Sequence, residues 1–596
     1  MTSPDLQHQQ KESWGSKAGV ILAVAGSAVG LGNFLRFPGT AVNNGGGAFM
    51  VPYIISFLLL GIPIVWCEWT MGRLGGRYGQ NNGAGILYAI WRKAPAKGIG
   101  ALTLLVPIVV YMYYVLLEAL CLRYSVAYFT GGFDAHIGAA VEGIAKNTAA
   151  YNDAVAGASV EYAMDQFALK SNGAMFESSM LWYVCVCFLV NFVIIYRGVT
   201  RGIETFCKFA MPLLIGCAII VLVRVLTLDN IGTGLGFMWN PKWELLKNPE
   251  VWMRAAGQIF FSLSVGFGLI LCYSSYLKPS DDVVLTSLSA SSANEFCEVI
   301  LGGLIVVPAA FLFLGSSHTP ESTFQVGFFT VPAIMHLMPF GGNFFGGMWF
   351  GLLFLAAVTS SLSMLQPAIA FLEDGFGLRR PVSVTLLAII TAAGASLVMY
   401  FSLNAQALDF TDFACEFMMI VAGLAQVLIF GWVIGAERGV NETNRGSDFK
   451  LPSFMPFMIR YLTPAFLIIV LSLWCYYNAP DRLRSMSPEY KGIEAALVAE
   501  FPDEFTGEDG AKKKIERVRE IQSKPRATKP TWYTQPTEAV KAKIADARLN
   551  ANIARFSIVG VGLLFIIITA AIDIACRNRI GQTIAHREHL ESLMEA

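Results

Sequence analysis

Long apolar stretches alternate with short polar connections along most of the chain. A membrane-spanning helix needs about 20 mainly apolar residues, and the pattern predicts twelve such spans. Numbered 1 to 12 in chain order, the spans cover residues 15–41, 45–72, 98–128, 179–196, 203–226, 251–277, 284–315, 343–373, 381–402, 409–435, 457–477 and 553–576. The predicted fold class is therefore an all-α membrane protein.

Two of the spans are interrupted by similar short, glycine-containing motifs of small residues. Residues 27–32 of span 1 read Ser-Ala-Val-Gly-Leu-Gly, and residues 263–268 of span 6 read Leu-Ser-Val-Gly-Phe-Gly. Glycine lets a helix unwind, and unwound backbone at membrane depth persists only where it is buried or lines a cavity. Small residues also serve close helix packing, but interrupted helices at corresponding places in two halves of one chain are typical of a secondary transporter.

The order of the spans predicts two halves of opposite orientation. Spans 1–5 and spans 6–10 each hold five helices, and a repeat of odd length starts its second copy from the other side of the membrane. Basic residues mark one set of short loops, which the positive-inside rule places in the cytoplasm together with both termini. These residues are Arg73, Arg77, Arg92, Lys93, Lys97, Arg197, Arg201, Lys278, Arg379, Arg380, Arg438 and Arg445. The bacterial inner membrane is the expected location.

Composition narrows the class of protein. Hydrophobic residues make up 55% of the chain and charged residues only 14%, against roughly 25% charged residues in a soluble domain, so the lipid bilayer is an expected partner. Lys and Arg balance Asp and Glu at 43 each, which leaves no excess positive charge for binding nucleic acid. The cysteines lie almost entirely in apolar segments, where they predict neither a disulfide framework nor a zinc site.

The spans divide the chain into five parts. Residues 1–14 form a polar cytoplasmic segment without the features of a signal peptide, residues 15–477 form the transporter core, and residues 553–576 form span 12 before a cytoplasmic tail, 577–596. Residues 478–552 form a long charged loop on the extracytoplasmic side. Such charge runs are usually solvated, and the alternative is that this loop binds a partner that the sequence does not identify.

Polar side chains inside the spans are the candidates for chemistry, because the membrane makes each of them costly. Their oxygens are mostly neutral hydroxyl, amide and freed carbonyl groups, which suit a hard monovalent cation such as sodium better than a transition metal. Hydroxyls can instead bond back to their own helix, which is the alternative for residues 359–361. The candidates are Asn33, Arg36, Ser262, Ser264, Asn294, Glu295, Glu298, Thr359, Ser360 and Ser361.

Many of these residues stand in motifs that resemble the neurotransmitter:sodium symporter family, and most closely its bacterial leucine-transporter type. The motifs are residues 25–38 and 44–49 around the first break, 258–268 around the second, 294–303 in span 7 and 359–361 in span 8. The resemblance covers spans 1 to 11 and leaves the charged loop unexplained. It implies two inverted five-helix repeats with broken helices 1 and 6, and two bound sodium ions.

The resemblance implies two sodium sites beside the breaks. The ligands of the first site would be the substrate carboxylate with Ala28, Asn33, Ser262 and Asn294. The ligands of the second site would be the carbonyls of Gly26, Val29 and Ala356 and the hydroxyls of Thr359 and Ser360. Near the first site, Glu298 replaces a neutral Ser of chloride-dependent relatives, so its carboxylate would substitute for chloride and no chloride requirement is expected. The residues expected around that carboxylate are Tyr53, Gln258, Ser262 and Asn294.

The substrate pocket implied by the resemblance has polar ends and an apolar wall. Backbone N–H groups at the break of span 1 and the Tyr114 hydroxyl would hold a carboxylate, and carbonyls with Ser264 at the break of span 6 would hold an ammonium group. Gly30 stands where amine carriers of the family have Asp, which leaves an empty space for a carboxylate that the substrate itself carries. The pocket residues are Ala28, Leu31, Gly32, Val110, Tyr114, Phe261, Ser262, Ser264, Phe267, Ser360 and Met364.

The same resemblance implies gates on both sides of the pocket. Outside it, Arg36 would pair with Asp412, although Asp409 or Glu416 could take that place because span 10 aligns only with a gap. Tyr114 and Phe267 would form the lid below this pair. The residues of the inner gate would be Lys11, Trp14, Tyr276 and Asp374. Lys11 replaces the usual Arg of the family, and a point charge in place of a bidentate fork weakens that gate.

The sequence therefore predicts sodium-coupled symport of a small-molecule substrate, a neutral amino acid with an apolar side chain, by alternating access and without chloride. Two alternatives stay open: a sodium-coupled carrier of an osmolyte or amine with the same fold, and an amino-acid sensor that does not transport. Two complete sodium sites speak against a sensor. An enzyme is not expected, because no nucleophile, base and orienting partner share one helix face.

Overall fold

A computed structural model of the chain describes residues 14–146, 148–166, 173–314, 326–401, 406–501, 508–524 and 529–595. Within these ranges the regular structure is helical throughout. Nine helices in the described part are long and apolar enough to cross a membrane, and a tenth span forms when the helices Lys17–Ala28 and Gly32–Asn43, bent by 48°, are taken together. The nine are Gly47–Arg77, Ala94–Phe129, Val199–Leu226, Val283–Phe313, Gly342–Phe376, Arg380–Tyr400, Ala407–Thr443, Met455–Ser485 and Glu538–His589.

The two remaining predicted spans are also helical but fall short of a full uninterrupted crossing. Span 4 is the apolar helix Met180–Tyr196, and span 6 is broken into Pro249–Ser262 and Leu269–Ser274. Each of the twelve predicted spans thus corresponds to one helix or to one broken pair. Shorter helices connect them: Gly83–Ile90, Gly132–Ala140, Ala149–Gln166, Ala174–Glu177, Ile231–Trp239, Trp243–Lys247 and Val326–Leu337.

Spans 3 and 8 form the centre of the bundle. The most apolar part of span 3 is 89% buried and that of span 8 is 78% buried, whereas only 11% of the corresponding part of span 12 is buried. A helix that is apolar on all sides packs inside a bundle when neighbours surround it and otherwise faces lipid. Spans 3 and 8 therefore provide the fixed wall against which the broken spans lie, and span 12 lies at the periphery.

Residues 478–552 contain a folded unit, whereas the sequence pattern predicts a long charged loop with helical stretches such as residues 512–521. Span 11 continues to Ser485, the helices Pro488–Glu500, Glu508–Ser523 and Thr531–Thr534 follow, and the helix of span 12 begins at Glu538 instead of residue 553. The span limits differ because apolar residues define only the part of a helix that lies in lipid, while charged helix formers continue it into water.

A small apolar core holds this unit together. Tyr490, Ile493 and Leu497 pack against Val518 and Ile521 of the next helix. Beside this core, Glu494 pairs with Lys491 at 2.7 Å and with Lys514 at 3.1 Å. Burial alone would raise the pKa of the Glu494 carboxyl, but the two ammonium groups outweigh burial and hold that pKa below its usual value.

Candidate functional site

The break in span 1 is held open by two side chains. The helix ends at Ala28 and resumes at Gly32. The Asn33 side-chain oxygen accepts a hydrogen bond of 2.9 Å from the backbone N–H of Gly30. The Tyr114 hydroxyl accepts one of 3.1 Å from the backbone N–H of Leu31. These bonds satisfy backbone donors that the helix would otherwise pair, which is the condition for unwound backbone inside a membrane.

The break in span 6 places a non-glycine residue in the left-handed region of backbone conformation. Ser264 has φ 53°, and Gly266 and Gly268 have φ 81° and 82°. Glycine adopts such angles without steric cost, whereas Ser264 is strained, and strain of this kind clusters at functional sites. The backbone N–H of Gly266 donates to a carboxylate oxygen of the buried residue Glu68 at 2.8 Å, so span 2 helps to hold this break.

A cavity of about 80 Å³ lies between the two breaks and the central spans 3 and 8. Its lining includes almost the whole predicted pocket: Ala28, Leu31, Gly32, Val110, Tyr114, Phe261, Ser264, Phe267, Ser360 and Met364. Ser262 is the exception, because its hydroxyl donates to Glu298 and turns away from the cavity. Gly30 and Leu117 line the cavity as well, and Arg36 and Asp412 lie at its outer side.

The two glycines of the first break face different surroundings. A Cβ added at Gly32 would meet no heavy atom within 4 Å, whereas one added at Gly30 would lie 2.6 Å from the Ser360 hydroxyl and 2.9 Å from the Tyr114 hydroxyl. The expectation of an empty space beside Gly30 is therefore wrong, since two hydroxyl groups already lie there. Those hydroxyls are themselves the polar groups that a substrate carboxylate could contact.

The predicted ligands of the first sodium site come together at the breaks. The side-chain amides of Asn33 and Asn294 lie 2.8 Å apart, and the Ser262 hydroxyl oxygen lies 2.6 Å from the Asn294 amide. The carbonyl oxygen of Ala28 is 3.2 Å from the same amide. Amide, hydroxyl and carbonyl groups of spans 1, 6 and 7 thus lie together at one buried point. A hard cation prefers oxygen ligands of these kinds.

Glu298 places a carboxyl group beside this group of ligands. Its carboxylate accepts hydrogen bonds from Gln258 at 2.7 Å, from Asn33 at 3.1 Å and from the Ser262 hydroxyl. The residue is fully buried, and a buried carboxylate needs donors or a cation around it. A cation at the adjacent site would supply the missing positive charge.

Span 7 reaches the break of span 1 through a close backbone contact. A Cβ added at Gly302 would lie 2.2 Å from the Asn33 carbonyl oxygen, so only glycine allows this approach. The same turns of span 7 have the wider π-type hydrogen bonding between Phe296 and Gly303, which is frequent at functional sites. Tyr53 donates to Glu295 at 2.7 Å and also lies within hydrogen-bonding reach of Glu298, as expected.

The predicted ligands of the second sodium site face each other across spans 1 and 8. All of them are buried: Gly26, Val29, Ala356, Thr359 and Ser360. The Ser360 hydroxyl donates across to the Ser27 carbonyl at 3.4 Å, whereas the Thr359 hydroxyl donates to Ala356 of its own helix at 2.9 Å. Thr359 therefore adopts the back-bonded arrangement, with its oxygen at the interface of spans 1 and 8.

The acidic residue of the outer gate is Glu416, which the sequence left as an alternative to the first choice, Asp412. Arg36 pairs with Glu416 at 3.3 Å instead of Asp412, and Asp412 accepts a hydrogen bond of 2.6 Å from the Tyr113 hydroxyl. Asp412 and Glu416 are four residues apart and share one face of span 10. Tyr113 donates to one oxygen of Asp412, while the long Arg36 side chain reaches the carboxylate one turn further along.

The aromatic ring directly below Arg36 is Phe261. The Arg36 guanidinium carbon lies 3.3 Å from the centroid of the Phe261 ring, and Phe267 packs edge-on against Phe261 with centroids 6.2 Å apart. The expected lid of Tyr114 and Phe267 thus requires correction, because Phe261 lies between Arg36 and Phe267. The cation–π contact and the ion pair together cover the outer side of the cavity.

The predicted inner-gate residue Trp14 packs against the second half of the broken span 6. Its indole N–H donates to the Tyr273 carbonyl at 3.0 Å, and its ring lies edge-on to Tyr276 with centroids 6.4 Å apart. Asp374 accepts hydrogen bonds of 2.7 Å from the Asn81 backbone and 3.0 Å from the Asn82 side chain, so the predicted Trp14, Tyr276 and Asp374 all lie at one end of the molecule. Lys11 lies outside the described residues.

Two buried carboxylates near the cavity escaped the sequence prediction. Glu68 binds the second break, and Glu118 lies one turn from Tyr114 on span 3, where it accepts hydrogen bonds from Ser361 at 2.7 Å and from Asn191 at 3.0 Å. Both residues stand inside apolar spans, and an acidic residue in such a span is a functional candidate by default. That signal was present in the sequence and would have identified both.

Comparison with known proteins identifies relatives over most of the chain. Residues 11–494 match the model of the Sodium:neurotransmitter symporter family. An uncharacterized sodium-dependent transporter of Methanocaldococcus jannaschii is 26% identical over 498 residues, which cover 82% of this chain and 94% of that protein. The sodium-dependent serotonin transporter of Drosophila melanogaster is 28% identical over 493 residues, 78% of this chain and 76% of that protein.

A solved structure has the same fold. The crystal structure of MhsT in complex with L-phenylalanine covers 77% of this chain and 99% of its own, with 26% sequence identity and a TM-score of 0.63. Together with the helices described above, this likeness confirms the predicted fold class, an all-α membrane protein of twelve spans with two inverted repeats.

Proposed function

The chain belongs to the sodium:neurotransmitter symporter family, and from that premise we propose that it takes up a neutral amino acid with an apolar side chain together with sodium. Membership makes the protein a sodium-coupled membrane transporter and not an enzyme. The identity of the substrate class, the independence from chloride and the orientation with both termini in the cytoplasm of a bacterial cell are parts of the proposal.

The cavity between the two breaks is the observation that carries the proposal. Polar groups lie at the breaks, where Tyr114 and Ser360 supply hydroxyls beside Gly30. At the other end, the charged residues Arg36 and Asp412 contact Glu416 and Tyr113. The wall of the cavity is apolar and includes Val110 and Met364. Burying an unpaired charge against such a wall costs several kcal/mol, which disfavours Lys, Arg, Asp and Glu as substrates. An amino acid whose charges are confined to its backbone groups fits this arrangement.

The shape of the wall favours a moderately broad range of side chains. Met364 has three rotatable bonds beyond its backbone and can repack around ligands of different size. The side of the cavity at Gly32 is open, because a Cβ added there would meet no heavy atom within 4 Å. We therefore propose substrates from alanine size through leucine and methionine. Phenylalanine belongs in the same test, because the similar structure of MhsT holds L-phenylalanine.

The surroundings of Glu298 support chloride independence. In this proposal its carboxylate, held by Gln258 and Asn33, balances the charge of the sodium ion at the adjacent ligands. A covalently attached carboxylate would then perform the task of a bound anion, and no chloride would have to enter the site.

An amine carrier is the second candidate. Asp412 lines the outer side of the cavity and could face a substrate ammonium group, and the serotonin transporter of Drosophila is among the relatives. Two observations disfavour this candidate. Asp412 already accepts a hydrogen bond of 2.6 Å from the Tyr113 hydroxyl, and the groups beside Gly30 are hydroxyls instead of a carboxylate.

Uptake into proteoliposomes tests the proposal. We expect labelled leucine or methionine to accumulate only under an inward sodium gradient, at the same rate with chloride or gluconate outside. Replacing Tyr114 by Phe removes the hydroxyl beside the break and should weaken uptake by about tenfold, the value of roughly one hydrogen bond to a charged group. Tyr88→Phe, at a ring that lies beside Lys97, is the matched control. Sodium-independent uptake, or uptake of amines alone, would contradict the proposal.

A further inference from the structure

The outer end of span 10 carries three acidic residues on one face. Asp409, Asp412 and Glu416 follow one another at spacings of three and four residues, which places neighbouring side chains together on a helix. Arg36 pairs with Glu416, and Tyr113 donates to Asp412. Like charges at these spacings destabilise a helix surface unless a cation compensates them, so the face depends on the positive charges around it.

A second cation lies beside this face, at the end of span 11. The Arg482 guanidinium carbon is 5.3 Å from the Phe410 ring centroid and 5.1 Å from that of Phe413. Arg482 also lies within electrostatic reach of Asp409 and Asp412. It occurs in the part of span 11 that continues beyond residue 477 towards the outer helical unit.

Span 11 is fixed against span 10 below this arginine. Trp474 stacks on Phe413 with centroids 4.7 Å apart and lies 5.4 Å from Phe417. Arg36 differs in this respect, because it belongs to span 1, which must separate from span 10 when the cavity opens outward. When Arg36 leaves Glu416, the acidic face loses one cation, while Arg482 keeps its place through spans 10 and 11.

We propose that Arg482 is a positioning residue of the outer gate, which compensates the acidic face of span 10 when Arg36 withdraws. This inference rests on the alternating access of the proposed function. Arg254 lines the crevice beside Glu416, whereas the arginines that act on Asp412 are Arg36 and Arg482. Without Arg482, withdrawal of Arg36 would leave Asp412 without either of these two cations, so the gate should spend more time closed. Because the guanidinium is partly exposed, the shift should be about two- to five-fold, as for exposed ion pairs.

The reporter is a cysteine placed beside the gate. Thr40 lines a small crevice of about 50 Å³ together with Arg36 and Glu416, so Thr40→Cys should react faster with a membrane-impermeant thiol reagent while the gate is open than while it is closed. The chain without this substitution gives the background from the native cysteines. Labelling rates are measured in proteoliposomes with sodium, first without substrate and then with leucine.

Three variants in this background distinguish charge from packing. Arg482→Met keeps an unbranched apolar stem on the rings and should slow labelling without substrate about two- to five-fold. Arg482→Lys keeps the charge and should restore most of the rate, and the difference between the two should shrink at high ionic strength. Arg484→Met is the matched control, because Arg484 pairs with the exposed Asp481 at 2.6 Å and should label at the parent rate.

The results of this experiment distinguish a failure of the Arg482 proposal from a failure of the proposed function. If Arg482→Met labels at the parent rate, or if Arg482→Lys is slowed to the same extent, Arg482 is not a positioning residue, although the proposed function stands. If labelling of the Thr40→Cys protein itself does not change when leucine is added with sodium, the proposed function fails and the gate inference fails with it.

Discussion

Replacing Glu298 by Ser is expected to make transport depend on chloride. The carboxylate of Glu298 is fully buried and lies among donors that remain in the variant, Gln258 at 2.7 Å and Asn33 at 3.1 Å. Ser is too short to reach both donors and carries no charge. The sodium ion at the adjacent ligands would then lack its balancing anion, and the vacated space would offer a chloride ion the same donors.

The size of the effect follows from the burial of the carboxylate. Removing one member of a buried charge pair costs about 3–5 kcal/mol, and 1.4 kcal/mol corresponds to about tenfold in an equilibrium constant. In chloride-free buffer, sodium-dependent binding by Glu298→Ser should therefore be at least about 100-fold weaker than in the parent. Chloride should restore most of this loss, whereas the parent should respond to chloride by less than about twofold, the size of a surface electrostatic effect.

The assay compares uptake into proteoliposomes with sodium chloride and with sodium gluconate. Glu295→Ser is the matched control, because it removes the neighbouring carboxylate, which is held by Tyr53 at 2.7 Å. That control should not become chloride-dependent, whatever its overall rate. Full activity of Glu298→Ser in gluconate, or a chloride requirement of the parent protein, would refute the assigned role of Glu298.

Substitutions at three further positions test the site. Thr359→Val keeps the shape of the side chain but removes an oxygen of the second sodium site. Half-maximal binding should then need about tenfold more sodium, which corresponds to one lost hydrogen bond to a charged group. Unchanged sodium affinity would argue against Thr359 as a ligand. Gly30→Ala places a Cβ 2.9 Å from the Tyr114 hydroxyl, and the overpacking, about 1–3 kcal/mol, should weaken leucine binding roughly tenfold or more in a competition assay. Glu68→Leu leaves the Gly266 N–H without its acceptor and should lower uptake about tenfold, while Glu68→Gln, which keeps an acceptor, should retain most of it; equal losses would mean that this bond does not hold the break.

The breaks and the cavity could be predicted because their signal is local. Glycines at 30, 32, 266 and 268 mark where the two helices unwind, and most of the predicted residues beside them line the cavity. Val110 and Tyr114 could be added only through the resemblance to a family, since their place on span 3 carries no signal of its own. The same resemblance assigned Ser262 to the cavity, but the structure turns its hydroxyl towards Glu298.

Features that depend on side-chain reach could not be predicted. Asp412 and Glu416 lie on one face of span 10, and their partners Tyr113 and Arg36 belong to two other helices. The outer helical unit is a similar case, because Tyr490 and Val518 form one core only after the chain between them turns back. The spacing of residues along the sequence does not indicate such contacts between distant segments.

Equilibrium binding by the purified protein tests the central claim most directly. Radiolabelled leucine is offered with sodium or with potassium, and the other neutral amino acids, the charged ones and carboxylate-free amines compete for it. We predict saturable binding in sodium alone, competition by methionine, alanine and phenylalanine, and none by charged amino acids or amines. Sodium-dependent binding of a carboxylate-free amine that leucine, methionine and alanine do not displace would contradict the account and favour an amine carrier.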